Sequence, residues 1–174
     1  MHAARTAPAQ ATGAAPAAPL VEGGLHWRWA RFDAMGVHAL HAALALRCRV
    51  FILEQGPYQD PDEADLLSWH LLGCDDSGAA RACLRVVDPG VKYAEPSIGR
   101  VVIAPEWRGR GLGHVLVRLG LAQCQALWPG QGVRISAQAH LQSLYGAHGF
   151  VAVSEPYLED DIAHIEMLCP PAGA

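Results

Sequence analysis

At 174 residues the chain is long enough for one domain whose core needs neither disulfides nor metals. It is 51% hydrophobic and 17% charged with a net charge of −4, which argues against disorder outside the N-terminal tail and gives nucleic acid no purchase, since phosphate recognition needs clustered basic residues and Lys92 is the single lysine. No apolar run approaches the roughly 18–20 residues of a membrane span, and five scattered cysteines without a C-x-x-C pair read as reduced thiols of a cytoplasmic protein.

Residues 1–24 are rich in Ala and Pro, carry no hydrophobic period and close on Gly23-Gly24. They are expected to form a flexible extension, with the folded domain over 25–174. They lack the apolar block of roughly 7–15 residues that a signal peptide requires. Leu25–Trp29 alternates apolar and polar and predicts a strand. Asp33 is placed to cap a helix in which Val37, Leu40, Leu44, Cys48 and Phe51 recur at three- and four-residue steps. Gly56–Leu67, with its prolines and aspartates, predicts a loop or short helix. Trp69–Cys74 and Ala79–Val87 predict two strands joined by a turn at Asp75-Asp76-Ser77-Gly78.

Ser97–Ala104 predicts the next strand, stopped by Pro105. A helix is expected from Gly111 to about Leu127, with Leu112, Val115, Leu116, Leu119 and Ala122 on its apolar face and Pro129-Gly130 beyond its end. Val133, Ile135 and Ala137 alternate in another strand, a short helix spans His140–Ala147, and Phe150–Val153 and Ile165–Leu168 supply two last strands. The order implies an α/β chain of the α+β type, built around a mainly antiparallel sheet.

The segment richest in chemistry is Val101-Val102-Ile103-Ala104-Pro105-Glu106-Trp107-Arg108-Gly109-Arg110-Gly111-Leu112-Gly113. A strand leads through a bend into three alternate glycines that open a helix. Glycine lets backbone approach an anion closely, and the first N–H groups of a helix have no internal acceptor. Arg108 and Arg110 add charged donors, so the segment predicts a pyrophosphate site; a glycine-rich turn without a ligand is the alternative. No lysine follows the glycines as a P-loop demands. The dinucleotide fingerprint fails in both frames, with His114 and Leu116 where glycine should stand.

What remains, Arg108-x-x-Gly111-x-Gly113 after a strand ending in Ala-Pro-Glu-Trp, resembles the acetyl-coenzyme A loop of the GNAT (Gcn5-related) N-acetyltransferases. Leu46-Arg47, Val50-Phe51, Glu54-Gln55, Ser97–Val102, Ser136–Gln142 and Tyr157–Ile165 resemble the ElaA-like subgroup of that family, so the likeness spans roughly residues 25–168. It implies the GNAT acyl-CoA N-acyltransferase fold, a central, mostly antiparallel twisted sheet flanked by helices. It implies acetyl-CoA as cosubstrate, no metal, and direct transfer to a small-molecule or peptide amine, with a homodimer compatible with such a domain. Val101, Val102 and Ile103 would bind the pantetheine arm through their backbone. Arg108, Gly109, Arg110, Gly111, Leu112 and Gly113 would hold the pyrophosphate.

By the same resemblance, Leu144-Tyr145 followed by Gly149-Phe150 puts the Tyr145 hydroxyl near the coenzyme sulfur, as proton donor to the departing thiolate. Gln138 stands seven positions earlier, where the family often has Asn, and would bond the pantetheine. A base must free the amine of its proton, and Glu54, Asp65, His70 and His164 are the candidates, with Glu54 foremost from its place at the end of the first helix. The acidic runs Asp60-…-Asp62-Glu63-…-Asp65 and Glu159-Asp160-Asp161 are expected either to attract a cationic amine or to be solvated loops. A non-catalytic acyl-CoA sensor on the same fold is the rival reading.

Overall fold

The computed structural model describes residues 20–56 and 59–171. Nine strands form one sheet: β1 (Leu20–Glu22), β2 (Leu25–Arg31), β3 (Ser68–Cys74), β4 (Ala80–Val87), β5 (Ser97–Ile103), β6 (Val133–Gln138), β7 (Val151–Ala152), β8 (Tyr157–Glu159) and β9 (Ile162–Cys169). Their spatial order is β1-β2-β3-β4-β5-β6-β9-β7, and β8 also pairs with β9. All contacts are antiparallel except β5 with β6, which meet in parallel at Ser97 and Arg134 alone.

The helices α1 (Val37–Arg47), α2 (Leu112–Leu127) and α3 (Gln142–Gly146) complete the α+β fold. On one side of the sheet Leu112, Leu116 and Val117 of α2 pack with Leu25, Leu71, Leu84, Val86 and Ile98. On the other, Ala43 and Leu46 of α1 pack with Val50, Phe51, Leu72, Cys83 and Val102. β4 is covered on both faces, which explains its nearly unbroken apolar run. No helix among the described residues is long and apolar enough to cross a membrane.

Four expectations need correction. Leu20–Glu22 of the expected extension is a strand, paired Leu20↔Trp27 through Glu22↔Leu25; three residues of moderate hydrophobicity carry too short a period to reveal it. Residues 1–19 lie outside the described residues. Asp33 sits in a single 3₁₀ turn, α1 begins after Gly36, and the buried face runs through Ala43, Leu46, Arg47 and Val50, leaving Val37 77% exposed. The periodic reading failed there because it gave no weight to alanine and none to a buried arginine. On α2 the inward face includes Val117 and Gly120, with Ala122 exposed. Finally, β8 and β9 form a hairpin across Asp160-Asp161, whose φ values of 52° and 60° suit the two left-handed positions of a tight turn. An acidic pair reads equally well as a loop.

Candidate functional site

The site follows from the parting of β5 and β6. After Ser97↔Arg134 the two parallel strands stop pairing, so the edge of β5 that faces β6 keeps free N–H and C=O groups. A cavity of about 710 Å³ opens between them, with Val101, Val102 and Ile103 on one wall and Ser136, Ala137 and Gln138 on the other. The bend away from β6 has a local cause. Between Cys83↔Val102 and Arg85↔Gly99 two steps on β4 face three on β5, which is a bulge, and Arg100 takes a φ of 51° there.

At the end of β5, Pro105–Trp107 makes one 3₁₀ turn and the chain reaches the glycines. Gly109 and Gly111 have φ of 74° and 76°, a conformation that side chains disfavour. Gly111 is the residue from which the 16-residue α2 starts, and Gly113 of its first turn, where helix N–H groups lack internal acceptors, lines the cavity. Of the residues predicted to hold pyrophosphate, Arg108 and Gly113 line the cavity; Gly109, Arg110 and Gly111 connect them outside its lining, and Leu112 is buried in the core. The Arg110 guanidinium lies 4.4 Å from the Trp107 ring centroid. Arg108 is not idle: its Nη1 and Nη2 donate to Glu54 at 2.7 and 2.8 Å.

Tyr145, from α3, lines the same cavity and is 6% exposed, its ring edge-on to Phe150 at 5.7 Å. Burial pushes its phenol up to about 12, so it stays protonated across the usual range. Gln138 donates from Nε2 to Gln55 Oε1 at 3.0 Å, spanning the gap from β6 to the turn after α1. Gln55 entered the sequence reading only as part of the family resemblance, without a role; the fold brings it opposite Gln138. None of the five cysteines lines the cavity, and burial pushes the thiols of Cys83 and Cys124 up to about 12.

The four candidate bases fare differently. Glu54 lines the cavity, but the hydrogen bonds from Arg108 hold its carboxyl below the usual range, so the paired form is a weak base. Asp65 is buried away from the cavity lining; burial alone would raise it, but hydrogen bonds and charge from Arg47 and Arg85 hold it far below. His70 is buried, its imidazole kept neutral chiefly by that burial, with Nε2 2.9 Å from the Asp65 carbonyl oxygen. His164 lines the cavity, stacked on Tyr157 at 6.3 Å, with Nδ1 2.9 Å from the Ile162 carbonyl oxygen.

The acidic run Asp60–Asp65 is neither a solvated loop nor a lure for amines. Arg47, 2% exposed, donates through Nε to Asp60 at 2.9 Å and through Nη1 and Nη2 to Asp65 at 2.8 and 3.0 Å. Arg85 reaches Asp65 at 2.7 Å and Asp62 at 2.8 Å, while Arg100 reaches Asp60 at 2.8 Å and Asp62 at 3.2 Å. Three aspartates are thus neutralised by three arginines, and only Glu63 of the run lies outside the network. A signal was present: Arg47 interrupts an apolar helix face and Arg85 an apolar strand, and charges in such places need buried partners. The second run differs. Glu159 and Asp160 line the cavity, Glu159 accepting from Ser136 Oγ at 2.9 Å, and Ser136 Oγ lies 2.6 Å from Tyr157 Oη.

Residues 84–170 match the acetyltransferase (GNAT) domain family. The chain is 40% identical over 152 residues to a UPF0039 protein of Synechocystis, covering 86% of this chain and 99% of that one. It is 38% identical over 146 residues to the ElaA protein of Escherichia coli, covering 82% and 95%. Among solved structures it is similar to an acyl-CoA N-acyltransferase of Pseudomonas aeruginosa, with a TM-score of 0.79 and 45% identity over 83% of this chain and 98% of the other.

Proposed function

The chain belongs to the GNAT acetyltransferase family, in its ElaA-like subgroup, and from that premise we propose that it transfers the acetyl group of acetyl-coenzyme A directly to a primary amine. The observation that carries the reading is the unpaired backbone of β5 facing a cavity that runs to Arg108 and the start of α2. An arm with two amides suits the free strand edge of Val101, Val102 and Ile103, as an added strand would. A pyrophosphate suits the N–H groups of Gly109–Gly113 with Arg108 and Arg110 beside them.

The thioester brings an activated acyl group; the chain supplies the rest. A backbone N–H of the Val101–Ile103 stretch polarises the acyl oxygen. Tyr145, kept protonated by burial, donates to the departing sulfur. The acceptor, a small molecule or a peptide amine, enters past Gln55, Glu159 and His164, and its proton leaves through water. Glu54 becomes a competent proton acceptor only once phosphate draws Arg108 away from it.

The test is release of free thiol when protein, acetyl-coenzyme A and a panel of amines are mixed. Amine-dependent thiol release is expected, and Tyr145→Phe should lower turnover about 100- to 10,000-fold while leaving coenzyme affinity nearly unchanged. Binding with no thiol release from any amine would leave a coenzyme-binding module instead of an enzyme.

A further inference from the structure

We propose that Lys92 is itself an acetyl acceptor, so that the chain modifies its own cavity mouth; the proposal rests on the acetyl-transfer reading above. Lys92 is the single lysine of the sequence, and it lies in the segment between β4 and β5, on the wall of the cavity that also holds Val101, Ser136 and Tyr145. Its side chain is exposed and forms no ion pair among the described residues; the ammonium rests 5.5 Å from the centroid of the Tyr93 ring. The contrast with the arginines of the same wall decides the matter. Arg85, Arg100 and Arg108 each hold carboxylates, whereas the one cation there with a nucleophilic neutral form is left without one. A lysine on a flexible stem loses little by leaving an aromatic face, and tethering it to the wall of the cavity proposed to hold the thioester replaces a bimolecular encounter by an intramolecular one.

The step balances simply. The ammonium gives one proton to solvent, the Nζ lone pair attacks the thioester carbon, the N–C bond forms and the C–S bond breaks. The sulfur leaves with the electron pair, and the second nitrogen proton balances the free thiol. The product is an amide at Lys92 and coenzyme A, and the mouth loses one positive charge.

The experiment incubates the full chain with acetyl-coenzyme A, without added amine, and reads the protein by intact mass and peptide mapping. One acetyl group at Lys92 is expected, with a rate constant independent of protein concentration and at least about tenfold above that of the urea-unfolded chain. Lys92→Arg should acquire no acetyl group at that peptide. A separate readout is labelling of Lys92 by an amine-reactive ester, which bound coenzyme A should slow severalfold in the folded chain. Coenzyme A binding seen by calorimetry, together with no acetyl group on Lys92, overturns the proposal and leaves the transfer reading standing. Acetylation no faster than in the unfolded chain overturns it as well. Absence of any coenzyme binding removes both.

Discussion

Two arginine–carboxylate clusters of this molecule are built from similar contacts and differ in burial. Around Asp65 the groups are closed off: Arg47, Asp60 and Arg85 are 2%, 0% and 3% exposed, and each charge faces an opposite one. At the glycine loop, Arg108 and Glu54 form an equally well-aligned fork at 2.7 and 2.8 Å, but both side chains are about two-fifths exposed. In the first cluster water cannot replace a lost partner, so the network fixes the loop before β3 against α1 and β4. In the second, water or a competing anion can take either group, so the pair is open to exchange. Geometry alone does not distinguish a scaffold from a switch.

The largest effect expected from breaking the comparison is at Asp65. Asp65→Ala leaves Arg47 only Asp60 and Arg85 only Asp62, so the cluster keeps one uncompensated positive charge, and the change should lower the unfolding free energy by about 3–5 kcal/mol, measured by urea denaturation. A loss below about 1 kcal/mol would place the cluster with ordinary surface pairs. The same carboxyl gives a pH signature. Its folded value lies far below the roughly 3.9 of a free aspartate, so as pH falls below about 4 the unfolded chain takes up a proton that the folded chain refuses. Stability present above that pH should fall as acid is added, and the slope should flatten in Asp65→Ala.

The open cluster should respond in ligand binding and hardly in stability. Arg108→Ala removes the guanidinium proposed to meet phosphate and should weaken acetyl-coenzyme A about tenfold, with a melting temperature within a few degrees of the parent. Glu54→Gln frees Arg108 and should tighten coenzyme binding by about two- to fivefold at low salt, an advantage that fades as ionic strength rises. Unchanged affinity in Glu54→Gln would mean that Arg108 does not have to leave Glu54 for the coenzyme to bind.

How much of this was written in the sequence depended on the range of the interactions. The strand, the turn at Pro105 and the glycines that open α2 were legible because they are contiguous, all within a dozen or so residues. Gly149-Phe150 after Tyr145 was legible for the same reason. The partners were not. Arg108 and Glu54 are 54 positions apart, Gln138 and Gln55 are 83 apart, and no local pattern links them. The splay of β5 from β6 depends on a bulge at Arg100, a residue type with no preference for positive φ, and so left no mark in composition. The acidic run was misread because polarity was taken for exposure, when Arg47 and Arg85 in apolar surroundings called for buried counter-charges.

The central claim is that the glycine turn opening α2 receives a diphosphate, and a calorimetric titration of acetyl-coenzyme A into the parent chain and into Gly111→Asp tests it most directly. The account predicts saturable heat at one coenzyme per chain for the parent, and affinity reduced about 10- to 100-fold in the folded variant, where a carboxylate meets phosphate. No heat from the parent, or equal affinity in Gly111→Asp, would contradict it.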